Sequence, residues 1–381
     1  MPPNEAPAPE VVAKTSIPVW DLGVRTFHWG LVASVAVCAY TGFLAPANWF
    51  SVHLLSGEVI AALIVFRLVW GLTGSIYARF ESFPFSLSAV LKHFRDARSG
   101  PAHAELGHNP AGAAMVYAML AALVLVLATG LLALGGVLKQ GPLADTTTFA
   151  FGRSALELHE WLAIGMLGLV AAHLAGNAFE SWRTQTNLTR SMITGDKAGD
   201  PSQARPPVSM RPAAAVSALA VIALIFIPAG YRLSSLPVSG VPGAALDPVY
   251  AKECGSCHFA YPPSLAGKAT WTAVMAGLSD HFGENASLDA ARTKALTDWL
   301  LANSGERWDT LPAHAFRVAN PADPQRITAN ATWARMHREL PEALFKSPKV
   351  AAKGACAACH GDAASGRFAP QQISIPKESA L

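Results

Sequence analysis

Residues 155–179 read ALELHEWLAIGMLGLVAAHLAGNAF. The stretch is apolar enough, and long enough, to cross a bilayer, which takes about 20 residues of helix. It nevertheless carries His159 and His173. Ionisable side chains at membrane depth are costly and usually functional. Fourteen residues of α-helix rise about 21 Å and return to within about 40° of the starting direction. The two imidazoles therefore share one helix face at two depths.

Four more stretches are candidate spans: 29–46, 52–72, 111–138 and 213–231. Spans of this kind come as helices, because lipid offers the backbone no hydrogen-bond partner. The expected fold class is all-α. It comprises a four-helix membrane bundle, a fifth membrane helix and a mostly helical, loop-rich C-terminal domain. The whole chain is 51% hydrophobic and only 14% charged, against about 25% charged in ordinary soluble domains. That excludes an ordinary soluble enzyme and a disordered chain. A net charge of +3 gives no reason to expect a nucleic-acid partner. The apolar excess lies within 27–231, and 232–381 read as a soluble sequence. The boundaries expected are 1–18 for a cytoplasmic tail, 19–190 for the membrane domain, 191–247 for a linker with the fifth helix, and 248–381 for the soluble domain.

Lys and Arg in the loops set the orientation. One side holds Lys14, Arg25, Arg79, Lys92, Arg95, Arg98, Arg183, Arg190, Lys197, Arg205 and Arg211; the other holds only Lys139 and Arg153. The basic side should be cytoplasmic, and five spans then place the C-terminal domain outside. The first 18 residues lack the pattern of a cleaved signal peptide, so the first span is expected to be an uncleaved anchor.

Two more histidines lie at span depth. His28 is at the cytoplasmic start of the first span and His53 at the outer start of the second. Pairing by depth gives His53 with His159 and His28 with His173. Each pair is placed to clamp one haem b between helices; the bland alternative is four hydrogen-bonded structural histidines. Arg67 shares the His53 face at the cytoplasmic depth. It has two readings: pairing with a propionate of the inner haem, or snorkelling to the interface. Glu58 likewise serves quinone protons or simply reaches water.

In the soluble segment, Cys254-Gly-Ser-Cys257-His258 and Cys356-Ala-Ala-Cys359-His360 both fit C-x-x-C-H. This is the attachment pattern of c-type haem, with two thiols for the vinyl groups and an adjacent His for the iron. Zinc or redox disulfides are the alternatives, but neither needs a His after the second Cys each time. Haem c is attached outside the bacterial cytoplasmic membrane, on the side the charge rule gives. Cys38, in the first span, reads as a packing residue.

Residues 17–185 resemble the bacterial cytochrome b561 family, which includes b-type subunits of nickel hydrogenases. The resemblance rests on Val19-Trp20-Asp21, Arg25-Thr26-Phe27-His28-Trp29, Arg67-Leu68-Val69-Trp70-Gly71, Tyr77-Ala78-Arg79-Phe80 and Gly107-His108-Asn109-Pro110-Ala111-Gly112. It implies a four-helix, two-haem carrier that exchanges electrons with quinone. The implied ligand positions fall on the same four His. Residues 248–379 resemble the di-haem cytochrome c domain, through both C-x-x-C-H stretches and Asp280-His281-Phe282-Gly283-Glu284-Asn285-Ala286-Ser287-Leu288. That resemblance implies two His ligands on each iron. Related domains pass electrons to a small oxygen-binding cytochrome c.

Two distal ligands are then needed from His281, His314 and His337. His281 sits in the matched stretch and His337 on a helix before the second motif, so these two are chosen. Proximity pairs His258 with His281 and His360 with His337, and a crossed arrangement stays open. Met275 and Met336 are the competing ligands. His93, His103, His108 and His314 are left as surface or loop residues. Residues 232–381 carry 15 Lys plus Arg and 13 Asp plus Glu, and haem propionates would offset that small excess, so charge does not identify a docking partner.

The leading expectation is a transmembrane electron carrier with two haem b and two haem c. It would link quinone to a periplasmic acceptor, with either direction of flow open. The alternatives are a membrane oxidoreductase acting at a haem edge on quinone, superoxide or another small oxidant, and a haem sensor.

Overall fold

A computed structural model describes residues 15–84, 86–99, 105–199, 204, 212–235, 241–243 and 246–376. Lys14, His103, Arg205, Arg211, most of the expected tail and much of the 191–247 linker lie outside the described residues. The chain is almost wholly helical, and it clusters into two compact units. One holds the residues up to Tyr40, His53–Ala128 and His159–Arg232; the other holds Thr41–Val52, Thr129–Leu158 and the chain from Leu233 onward.

In the first unit a two-stranded antiparallel pair precedes and follows the main bundle. Strand β1 (Thr15–Pro18) pairs with β2 (Asp196–Gly199), Thr15 opposite Gly199. The sequence reading had a tail and a linker here. The pair forms because the chain closes on itself at Gly195, whose carbonyl accepts from Val19 N (2.9 Å) and Trp20 N (2.8 Å). Gly195 has φ of +97°, and a Cβ there would meet the Trp20 carbonyl at 2.8 Å. Glycine is the residue that tolerates both.

The spans are α1 (Leu22–Phe43), α2 (Phe50–Thr73), α4 (Pro110–Val137), α5 (Phe149–Thr184) and α7 (Pro212–Ser235), with a short α3 (Leu87–Ser99) between α2 and α4 and α6 (Leu188–Thr194) after α5. All five are long and apolar enough to cross a membrane. Many large apolar side chains on them point outward, Leu72, Trp161, Leu174 and Leu224 among them. Such surface is stable only in lipid.

Helices α1 and α2, which carry His28 and His53, share a core in which Leu63, Phe66 and Trp70 of α2 meet Val24 and Phe27 of α1. Helix α7 is more than a connector. Ala215 is 1% exposed in that same core, with Leu219 and Ile222 packed on it. Gly230 lies directly against the Glu58 carboxylate, where any Cβ would overlap. Glu58 is half-buried, and its Oε1 is buried without a partner.

In the second unit α4 and α5 approach closely at Gly136 and Gly152, where a Cβ on either would come within 2.6 Å of the other's backbone. The C-terminal part has two small cores. Helices α8 (Pro248–Gly255), α9 (Lys268–Ala276) and α10 (Ala290–Ala302) bury Tyr250, Trp271, Met275, Leu296 and Leu300. Asp247 caps α8 by accepting from Val249 N (2.8 Å) and Tyr250 N (3.0 Å), as an N-cap carboxylate does. After α11 (Leu311–Phe316), helices α12 (Ala331–Met336) and α13 (Glu342–Lys346) frame a second core of Leu344, Phe345 and Val350. Cys254 packs on the first core and Cys359 on the second. Each C-x-x-C-H is therefore backed by its own core.

Candidate haem sites

The eight histidines selected from the sequence fall into four pairs. The ring centroids are 6.4 Å apart for His28 and His173, 6.2 Å for His53 and His159, 6.0 Å for His258 and His281, and 6.3 Å for His337 and His360. Direct stacking would bring rings closer; a common separation in four unrelated settings has one simple cause. Two imidazoles on opposite sides of a metal, each nitrogen about 2 Å from it, leave their centroids about 6 Å apart. All four pairs have room for one iron.

In four of the eight histidines the ring orientation agrees, while Nδ1 of His28, His281 and His360 is buried without a partner. The Nδ1 of His53 lies 3.2 Å from the Cys38 carbonyl, that of His159 2.9 Å from Val126, that of His258 2.8 Å from Phe259 and that of His337 2.9 Å from Trp333. A carbonyl only accepts, so Nδ1 carries the proton and Nε2 keeps the lone pair for a metal. In the C-terminal domain burial, and then the neighbouring His258, lower the pKa of His281; burial, and then His337, lower that of His360. Both rings are held in the neutral form that ligates.

All five cysteines are free thiols, so neither C-x-x-C pair is a disulfide. Burial raises Cys254 and Cys356 to about 11, which keeps them protonated. Among the described residues no three His, Cys, Asp or Glu converge on one point, as a structural zinc site would require. Met275 is buried beside Trp271 in the first core, and Met336 is 53% exposed. Histidines rather than methionines face His258 and His360.

Arg67 is only 3% exposed, which removes the snorkelling reading. Its guanidinium sits 4.5 Å from the Phe80 ring and 5.7 Å from Phe83, with one terminal nitrogen unpartnered. A buried cation in that state fits an anion supplied by a bound group.

His108, read as a surface or loop residue, lies in the loop before α4, where it packs between Trp20 (4.9 Å) and Phe83 (4.3 Å) with Nδ1 buried and unpartnered. Burial, then the charges of Arg67 and Lys197 and the nearby His173, push its pKa down to about 3. The unfolded chain protonates this His near about 6.5 and the folded chain refuses the proton. Its stabilising contribution is therefore complete above that value and is lost as pH falls toward about 3. Thermal unfolding in detergent should show that decline, and His108→Phe should flatten it; an unchanged slope in the variant would count against the assignment.

His314, read as a surface residue, is a correction. It lies on α11, bonds Asp309 Oδ1 through Nε2 (2.8 Å) and stacks on Phe149 at 4.2 Å. The sequence reading also missed Tyr261. Its ring is 5.5 Å from that of His258, and its hydroxyl donates to the Gly354 carbonyl (2.7 Å), two residues before Cys356.

The model of prokaryotic cytochrome b561 matches residues 19–195, and that of dihaem cytochrome c matches 250–368. Residues 19–195 thus form a cytochrome b561 domain and residues 250–368 a dihaem cytochrome c domain, with α7 between them. The b561 part is 22% identical over 229 residues to the "Probable Ni/Fe-hydrogenase B-type cytochrome subunit" of Rhizobium leguminosarum bv. viciae, covering 51% of this chain and 93% of that one. It is 23% identical over 227 residues to the protein of the same description from Bradyrhizobium diazoefficiens, covering 51% and 90%. The C-terminal part is 34% identical to the diheme cytochrome type c of Shewanella baltica, covering 35% of this chain and 95% of that one, with a TM-score of 0.28. It is 35% identical to the diheme cytochrome c of Rhodobacter sphaeroides, covering 32% and 97%, with a TM-score of 0.29. The b561 part implies haem b and the dihaem part haem c, within an integral membrane protein whose role is haem-based electron transfer.

Proposed function

We propose that this cytochrome carries electrons between the quinone pool and a periplasmic acceptor through two b haems and two c haems. The observation that carries the reading is the four histidine pairs at one common separation. His28 with His173 and His53 with His159 hold the b haems. His258 with His281 and His337 with His360 hold the c haems, attached through Cys254, Cys257, Cys356 and Cys359. Haem supplies a one-electron iron couple, and the protein supplies its ligands, burial and spacing. Arg67 offers its free guanidinium nitrogen to a propionate of the haem held by His28 and His173. The Lys- and Arg-rich loops support a bacterial inner-membrane orientation with the N-terminus in the cytoplasm and the dihaem domain in the periplasm. The acceptor is a periplasmic redox protein, a small oxygen-binding cytochrome c being the candidate that the dihaem family brings.

Eight paired histidines for four irons favour the carrier over an enzyme with an open iron position. Quinol added to native membranes should reduce the c haems, and no reduced haem should bind carbon monoxide. Oxidised c haems after quinol addition would overturn the carrier reading. Carbon monoxide binding at any haem would favour an enzyme acting there.

A further inference from the structure

The two c sites differ in what they touch. The segment after the second C-x-x-C-H is tied to the two short loops at the Lys- and Arg-poor end of the spans. Arg367 donates to the Lys139 carbonyl (3.1 Å), and Gln371 donates to Gln140 Oε1 (3.1 Å). The turn Pro370–Gln372 packs against the turn Ala47–Trp49. Within this same segment Phe368 lies against the His360 ring at 5.1 Å, and Gly361 N donates to the Gln372 carbonyl (3.0 Å).

Asp309 closes the contact. Its carboxylate accepts from Lys139 Nζ (3.0 Å), the Phe149 backbone N–H (2.8 Å) and His314 Nε2 (2.8 Å). Lys139 also donates to the Thr147 carbonyl (2.7 Å), and its side chain is 10% exposed. An ion pair withdrawn from water on one side and hydrogen-bonded on both is more than a surface pair. Burial raises the pKa of Asp309, but the Phe149 N–H, His314 and Lys139 outweigh it and hold the group ionised. Phe149 opens α5, the helix that carries His159 ten residues on, about 15 Å of helix rise. Tyr261 lies between the two c sites, beside His258 and bonded to Gly354.

We propose that the His337–His360 site exchanges electrons with the b561 domain and the His258–His281 site with the external partner, the Asp309 clasp and the 367–372 segment being the positioning elements. The order rests on the function proposed above. Each step moves one electron: iron at the donor site goes from ferrous to ferric and iron at the acceptor site from ferric to ferrous, with no bond made and no proton moved.

The test uses the full-length holoprotein in nanodiscs. In Asp309→Ala/Arg367→Ala, hydrogen exchange at the Phe149 amide and across 139–147 should rise at least tenfold. Quinol-driven reduction of the c haems should slow at least tenfold, while c-haem content and dithionite reduction stay as in wild type. In Cys254→Ala/Cys257→Ala the remaining c haem should still be reduced by quinol; in Cys356→Ala/Cys359→Ala it should not. The reverse pattern, or an undiminished rate in the clasp variant, overturns the order. The clasp variant decides alone where a cysteine variant does not fold. If quinol fails to reduce the wild-type c haems, the function proposed above falls, and the exchange data still judge the clasp.

Discussion

His173→Ala is expected to remove one of two b haems and leave both c haems attached. A b haem here would be held only by its two histidines and by packing, and the His28 and His173 rings lie 6.4 Å apart. Removing one ring would leave such a haem with a single histidine to hold it in an apolar bundle. In the function proposed above the c haems would be bound by thioethers at Cys254, Cys257, Cys356 and Cys359, and the substitution touches none of these residues. Pyridine haemochrome spectra should show the ratio of b to c fall by about half. The His53–His159 pair has its own anchors at the Cys38 and Val126 carbonyls, so the second b haem should persist. Retention of both b haems in the variant would refute the pairing, and loss of both would show that the sites fold as one.

The histidine pairs were legible in the sequence because a membrane span leaves few polar residues to choose among, and helical geometry fixes their depth. The dihaem cytochrome c domain was legible because covalent attachment of haem demands the local C-x-x-C-H pattern, which occurs twice. Span ends were less so. Helix α5 starts at Phe149, ahead of the apolar run at 155, and Arg153 and Glu157 pair one turn apart on that extension (3.3 Å). The β1–β2 pair was invisible, since four-residue strands far apart in the chain carry no alternation long enough to read. His314 was unreadable for the same reason. Its setting depends on Phe149, which meets Asp309 across 160 residues of chain. Arg67 had two readings until its burial decided between interface and interior. His108 was legible as a loop residue from Gly107-His108-Asn109-Pro110, but its packing on Trp20 and Phe83 depends on residues far along the chain.

Asp21→Ala should destabilise the b561 domain by about 3–5 kcal/mol, the range for leaving several buried partners of a charge unsatisfied. Asp21 is 2% exposed. Its carboxylate accepts from the Val24 backbone N–H (2.8 Å), from Trp70 Nε1 (3.0 and 3.1 Å to its two oxygens) and from the Ser75 hydroxyl. One side chain thus caps the start of α1 and ties it to the end of α2. It also sets the direction in which α1 leaves, and His28 lies two turns further along that helix. The cost should appear as a lower thermal midpoint in detergent together with weaker retention of the haem held by His28 and His173. Asp21→Asn keeps the shape and one acceptor oxygen, so its loss should be markedly smaller, about 1–2 kcal/mol. Equal losses in the two variants would mean that charge rather than hydrogen bonding holds this corner. A stable Asp21→Ala with full haem would show that α1 is positioned by its apolar packing on Phe66 and Trp70 alone.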